Sequence, residues 1–320
     1  MNKEGERKRR AALVVAGPTA SGKSDLALRL AETFDGIVIN ADSMQLYREL
    51  RILTARPGAT AEARAPHRLY GVLPAAEAGS AAAWRARALA EIEAAWATGR
   101  LPILVGGTGL YLQTLYRGLA PVPAIPPSVL AEATALHAEL GPEGFHRALA
   151  ARDPEMAARL RPSDRQRLVR AFSVVVATGR SLAAWQAMPP REPAFDAPLA
   201  TIHLDPPRAE TYARCDTRFA AMVAEGALEE VAALLALGLN PDLPAMKAVG
   251  VAPLGRHLRG ETTLDEAIAV GQQATRRYAK RQMTWFRHRA ALSTPQSAQF
   301  SESFSPEIFS FIRQFLLTAL

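Results

Sequence analysis

The run GPTASGKS at residues 17–24 constrains this chain more than any other feature. It matches G-x-x-x-x-G-K-[ST] in full. It also stands where that motif must stand, between the apolar run AALVVA at 11–16 and an amphipathic stretch from Ser24 to Phe34 that ends near Gly36. Gly17 and Gly22 let the backbone wrap until its N–H groups point at phosphate oxygens. The helix N-terminus adds positive potential, Lys23 adds a point charge, and the Ser24 hydroxyl can reach a Mg²⁺ held on the same phosphates. The motif specifies a diphosphate unit and leaves open what that unit is attached to.

Such a loop belongs in a parallel α/β sheet, and the surrounding sequence supplies one. GIVINAD at 36–42 reads as a second buried strand closing on an acid. LPILV at 101–105 reads as a third, closing on Gly106 and Gly107, and Leu199 to Leu204 as a fourth. Ala81 to Ala97, capped by Ser80 and stopped by Gly99, has the length of a crossover helix. After Pro121, Pro123, Pro126 and Pro127 the strands cease. Residues 128–188 carry helical periods only, among them a capping-box pattern, Ser163 with Gln166, that opens a helix to Thr178 ended by Gly179. From Pro207 onward everything reads as helix: Arg208 to Glu225 stopped by Gly226, Ala227 to Leu237 stopped by Gly238, and Thr263 to Arg289, opened by a second capping box of Thr263 and Glu266. The expected architecture is a P-loop NTPase-like parallel sheet flanked by helices. The first part of the core spans 11–125 and a helical insertion domain 126–195. The last core strand and the C-terminal helices span 196–290, and a tail follows over 291–320.

The chemistry departs from that of an ordinary kinase or nucleotide hydrolase. The third strand ends in Gly-Gly-Thr-Gly-Leu-Tyr at 106–111, where a metal-holding aspartate is usual. Two other acids close strands, Asp42 and Asp205, and either could hold metal, do acid–base work, or cap a turn. Strand C-termini gather at one edge of a parallel sheet, so the loop, Asp42 and Thr108 are expected in one crevice. Arg214 and Arg218, four apart on the following helix, share a face from which an arginine could clamp a leaving diphosphate. A solvated pair is the plainer alternative.

Charge points to a second, larger ligand. The net charge is +7, and Arg276, Arg277, Lys280, Arg281, Arg287 and Arg289 crowd into 276–289 without an acid. A polyanion is the natural partner of such a patch. Tyr278, Gln282 and Trp285 recur within it at helical spacing. The helix can therefore bury its aromatics and show cations to RNA phosphates, offer one ring to a base, or simply turn a solvated basic back on a core-facing stripe. Arg161, Arg165, Arg167 and Arg170 form a weaker cluster, and Lys3 to Arg10 reads as a solvated tail. One cysteine, Cys215, cannot form an intramolecular disulfide, and the six histidines lack metal-ligand spacing. No stretch approaches the ~20 apolar residues of a membrane span, and no signal peptide opens the chain, so a cytoplasmic protein is expected.

Four segments taken together, GPTASGKS at 17–24, ADSMQLY at 41–47, LVGGTGLYL at 104–112 and AKRQMTWFR at 279–287, resemble the tRNA dimethylallyltransferase (tRNA isopentenyltransferase) family of bacterial type. APHRLYGV at 65–72, RQRLVRA at 165–171 and TRFAAMVAEGALEEV at 217–231 are similar to that family as well, and the resemblance spans residues 11–290. It implies transfer of a dimethylallyl group from dimethylallyl diphosphate to N6 of the adenine 3′ to the anticodon, assisted by Mg²⁺, on the anticodon stem-loop of tRNA and by a monomer. By matching motif positions, Gly17, Pro18, Thr19, Ala20, Ser21, Gly22, Lys23 and Ser24 would bind the diphosphate together with Arg218. Ser24 would share the metal. Lys23, Asp42, Thr108 and Arg218 would be catalytic, with Asp42 taking the N6 proton. Ser43, Met44 and Gln45 would line the channel with Asp42 and Thr108 and read the flipped base. Gln166, Arg167, Leu168, Val169 and Arg170, then Lys247, then Lys280, Arg281, Gln282, Trp285 and Arg287 would contact the tRNA.

The chain departs from the family pattern at Gly250-Val251, where many relatives carry Gly-Tyr. Ser301 to Leu320 matches no family segment, and the zinc-binding extension of some eukaryotic relatives is missing. Three rivals stay open: a P-loop kinase of a small molecule or nucleotide, an enzyme prenylating free adenine nucleotides, and a non-catalytic RNA-binding protein whose loop senses nucleotide. The first two leave the basic helix without a task.

Overall fold

A computed structural model describes residues 10–190, 195–288, 297–300 and 306–319. The basic arm as far as Arg9, Arg289, and most of the junction between the basic helix and the tail lie outside the described residues.

The chain opens with strand β1 (Ala12–Ala16), helix α1 (Lys23–Thr33) and strand β2 (Gly36–Asn40). A short helix α2 (Ala59–Arg64) and the two-residue strand β3 (His67–Arg68) lead to α3 (Ala81–Ala97), β4 (Leu101–Gly106) and α4 (Gly109–Arg117). Four helices follow without a strand: α5 (Pro127–Ala150), α6 (Pro154–Arg159), α7 (Arg165–Thr178) and α8 (Leu182–Gln186). The chain then returns to the sheet as β5 (Leu199–Leu204), continues through α9 (Arg208–Met222), α10 (Leu228–Ala236), α11 (Val251–Leu258) and α12 (Leu264–His288), and closes with β6 (Ser297–Phe300) and α13 (Pro306–Thr318). The sheet order is β3-β2-β4-β1-β5-β6, with every neighbouring pair parallel. No described helix is long and apolar enough to cross a membrane.

The chain forms two compact units, Met1–Tyr116 with Asp196–Leu320, and Arg117–Phe195. In the first, β1, β2 and β4 are buried on both faces, as a parallel sheet covered by helices requires. Leu13 and Val15 of β1 join Leu26 and Leu30 of α1 and Ile308, Ile312 and Phe315 of α13 in one core. On the opposite face Trp84 of α3 donates its indole N–H to Asn40 O at 2.8 Å and stacks on Tyr111 of α4. The second unit has its own core, in which Phe145 and Leu149 of α5 pack on Leu168 and Phe172 of α7. Its α5 bends at Gly141, φ +67, just before Pro142.

Several boundaries differ from the sequence reading, each for a local reason. Strand β2 stops at Asn40 and does not reach Asp42. The Asn40 amide donates to Asp42 O and Leu69 O, and its Oδ1 accepts the Asp42 N–H, so the chain turns out of the sheet there. Gly226 interrupts the helix as the sequence places it: at φ +105 it is the non-helical residue of the kinked junction Val223–Ala227 between α9 and α10. At α7 the N-cap is Asp164, which pairs with Arg167, and not Ser163. The capping boxes and stops at Ser80, Gly99, Gly179, Thr263 and Glu266 stand where the sequence places them. The C-terminal region is not all helical, since β6 extends the sheet beyond β5 and α13 covers the same face as α1.

Candidate active site

The loop between β1 and α1 takes its shape from three backbone features. A Cβ on Gly17 would stand 2.8 Å from Leu204 O, so only glycine lets the loop pass β5. Gly22, at φ +83, caps α1 in the left-handed region, and Ala20 shares that hand at φ +62. Lys23 opens the helix and donates to Pro18 O at 3.0 Å, closing the turn on itself. Burial pushes its ammonium down to about 8, with Arg218 adding to the fall and the Asp42 carboxylate opposing it. Ser24 is exposed beside it, and the Ser21 hydroxyl is buried without a partner.

The ends of β2 and β4 form the second wall. Asp42 folds one carboxylate oxygen onto Met44 N at 2.9 Å. Thr108, two residues beyond β4, accepts the Ser43 N–H at 2.9 Å and donates to Ser43 Oγ at 3.2 Å, and its own N–H reaches Ala41 O. The loop carrying Asp42 is thus tied to the Gly-Gly-Thr turn by three bonds. Gln45 spends its amide N–H₂ on Thr54 O and Ala55 O, which leaves Oε1 as the atom able to address a base. The Asp205 N–H continues the β5–β6 ladder to Phe300 O, and Asp42 is the acid whose field acts on Lys23.

Helices α9 and α12 supply the third wall. Arg218 donates to Thr19 Oγ1 from the half-buried face of α9, while Arg214 one turn earlier is held outside by Glu210 at 3.2 Å. The shared face inferred for the two arginines therefore serves only one of them. On α12, Tyr278 hydrogen-bonds Thr108, and burial together with the Asp42 carboxylate pushes its phenol far up. Gln282 is buried at 5% exposure; its Oε1 accepts the Thr19 N–H at 2.7 Å and its Nε2 donates to Gly107 O at 3.1 Å. Trp285 lies against Gly109 and edge-on to Phe286. The stripe at 278, 282 and 285 is therefore not a plain core seam. It docks on the crevice, and a side chain at Gly107 or Gly109 would collide with Gln282 or Trp285.

The remaining candidates divide by exposure. Lys280, Arg281 and Arg287 are exposed on the back of α12, with the Arg281 guanidinium 5.6 Å from the Tyr278 ring centroid. Arg276, part of the same basic run, is committed to Asp216. Lys247 is exposed and paired with Asp242 at 2.9 Å. In the helical unit Gln166, Arg167 and Arg170 are exposed, but Leu168 and Val169 are core residues, because consecutive positions on a helix cannot all face outward. Sequence reasoning missed Glu230. From α10 its carboxylate accepts the backbone N–H groups of Arg51, Ile52 and Leu53 at 2.7 to 2.9 Å and holds the segment that follows Gln45. An acid in the first turn of a helix ordinarily reads as a dipole partner, so no local signal marked it.

A phosphate loop on β1, faced by a carboxylate from beyond β2 and closed by an arginine from α9, defines a P-loop group-transfer enzyme. The chain belongs to the IPP transferase family, whose model matches residues 45–289. It is 57% identical over 308 residues to the tRNA dimethylallyltransferase of Paramagnetospirillum magneticum, covering 96% of this chain and 98% of that protein. It is 51% identical over 319 residues to the tRNA dimethylallyltransferase of Granulibacter bethesdensis, covering 96% and 99%. The crystal structure of the full-length tRNA isopentenylpyrophosphate transferase of Bacillus halodurans matches with a TM-score of 0.67 at 31% identity, over 97% of this chain and 98% of that one. A eukaryotic dimethylallyltransferase acting on tRNA matches with a TM-score of 0.73 at 26% identity, over 87% and 70%.

Proposed function

We propose that this chain transfers a dimethylallyl group from dimethylallyl diphosphate to N6 of the adenine 3′ to the anticodon in tRNA, releasing diphosphate, with the monomer as the working unit. The observation that carries the reading is the convergence, in one crevice, of a diphosphate-shaped loop, a carboxylate and a helix whose outer face is basic. A kinase site would need the first two alone.

The residues divide the work. Lys23 and Arg218 bring positive charge to the loop, where it acts on the bound diphosphate and on the charge that grows as the allylic C–O bond breaks. The exocyclic amine of adenine is a weak nucleophile because its lone pair is delocalised into the ring. As the N6–C bond forms, Asp42 accepts the departing proton on the carboxylate oxygen not held by Met44. Thr108 keeps that carboxylate in place through Ser43. Oε1 of Gln45 meets the base edge once the adenine has left its stack. Lys280, Arg281 and Arg287, and separately Gln166, Arg167 and Arg170, take backbone phosphates.

A Mg²⁺ fits here as an ion shared with substrate. Among the described residues no three of His, Cys, Asp and Glu come together, whereas the Ser24 hydroxyl is exposed at the α1 N-terminus, so phosphate oxygens would complete the shell. When bound, the ion neutralises diphosphate charge. Incubating the protein with labelled dimethylallyl diphosphate and unmodified tRNA, AMP or neither tests the reading. Label is expected in tRNA alone; label in AMP, or turnover of ATP with a small acceptor, would overturn it.

A further inference from the structure

Gln282 is a polar residue in an apolar stripe. On α12 from Thr275 onward the buried positions are Thr275, Ala279, Gln282, Met283 and Phe286, and the exposed ones are Arg277, Lys280, Arg281, Thr284, Arg287 and His288. A buried amide in such a stripe is tolerated only if both ends are bonded. Here they are, and both partners belong to the diphosphate crevice. The Thr19 N–H lies within the glycine-rich turn, while Gly107 begins the turn that carries Thr108. Arg218 holds the Thr19 hydroxyl at the same time. Gly107 has no room for a Cβ because Gln282 Nε2 occupies that space. The two glycines flanking Thr108 thus serve the approach of α12, Gly107 through Gln282 and Gly109 through Trp285.

We infer that Gln282 is a positioning residue for the donor diphosphate: it sets the Thr19 turn of the phosphate loop from the helix whose outer face meets RNA. The inference rests on the proposed function for the identity of that outer ligand. It departs from a tRNA-contact role, since Gln282 is enclosed and its hydrogen-bonding groups are engaged within the protein. The same helix then bears on both substrate sites, and α12 makes the shape of the donor site depend on a segment more than 250 residues away in sequence.

The test uses the full chain and inorganic pyrophosphate, with binding followed by calorimetry, and tRNA affinity followed separately by filter binding. Gln282→Met keeps the volume and removes both hydrogen bonds. Gly107→Ala leaves Gln282 in the sequence but pushes its amide aside. Both variants are expected to weaken pyrophosphate binding about tenfold and to leave tRNA affinity within about twofold, because a buried hydrogen-bonded pair is lost while the exposed cations are untouched. If Gln282→Met does not fold, Gly107→Ala decides alone. Pyrophosphate affinity within about twofold of the parent, or a loss confined to tRNA affinity, overturns the inference. Absence of prenylation by the unaltered protein would instead strike the proposed function, so the two failures are separable.

Discussion

The two basic helices, α12 in the sheet unit and α7 in the helical unit, look alike in sequence and differ in what stands behind their cations. Both carry exposed arginines on one side and apolar residues on the other. Behind α7 lies a private core, with Leu168 at 0% exposure, Val169, and Phe172 tilted against Phe145 at 4.9 Å between ring centroids. Behind α12 lie Thr19, Gly107, Gly109 and Phe219, and Phe286 packs 4.9 Å from His203 on β5. A cation on α7 can act only through whatever it binds, whereas the residues behind the α12 cations form part of the chemical site. Charge patterning reports a surface, and the opposite face of the helix decides whether that surface is joined to catalysis.

The largest expected effect lies in the crevice that α12 closes. Asp42→Asn keeps the shape and can still hydrogen-bond N6 but cannot take its proton, so kcat should fall by about 10² to 10⁴ while donor and tRNA affinities hardly change. A Mg²⁺ titration of the variant separates this from a metal-ligand role, in which donor binding weakens and added Mg²⁺ restores activity. No single substitution on α7 should approach that loss of turnover, and one that did would break the contrast.

Next comes Leu168→Ala, which empties a fully buried site in the helical unit and should cost about 2 to 5 kcal/mol in denaturant unfolding of that unit. Were Leu168 an RNA contact instead, tRNA affinity would drop with stability unchanged. Smaller again is the effect of paired neutralisations. Arg281→Ala with Arg287→Ala, or Arg167→Ala with Arg170→Ala, should each flatten the dependence of tRNA affinity on salt, by about 0.7 to 0.9 in log–log slope per lost contact, with pyrophosphate binding unaltered. An unchanged slope for the α12 pair would reduce its outer face to a solvated one.

The smallest effect is one of pH, and it belongs to the crevice alone. Lys23 sits near 8 in the free protein, and a bound diphosphate favours its charged form. Above that value binding must take up a proton, so affinity should decline by up to about tenfold per pH unit through the alkaline range, and Lys23→Met should abolish the dependence. Calorimetry in two buffers of different ionisation heat, at about pH 9, reads the proton directly.

The amino-acid sequence by itself determined whatever is settled within a few residues. The phosphate loop needs only a strand, two glycines and a helix N-terminus in succession, and the caps at Ser80, Thr263 and Gly179 need only a side chain or a permissive backbone beside the helix end. Helical spacing also identified Tyr278, Gln282 and Trp285 as one face, and Arg214 and Arg218 as another. Only the tertiary structure decided what those faces meet. Glu210 holds Arg214 outside while Arg218 reaches Thr19; Gln282 finds its partners at Thr19 and Gly107; Glu230 gathers three N–H groups from 51–53; and β6 and α13 complete a sheet and a core begun at residue 12. Periodicity fixes directions around one helix axis, but a hydrogen bond between residues hundreds of positions apart exists only after the strands have paired and the helices have packed, so no local pattern records it.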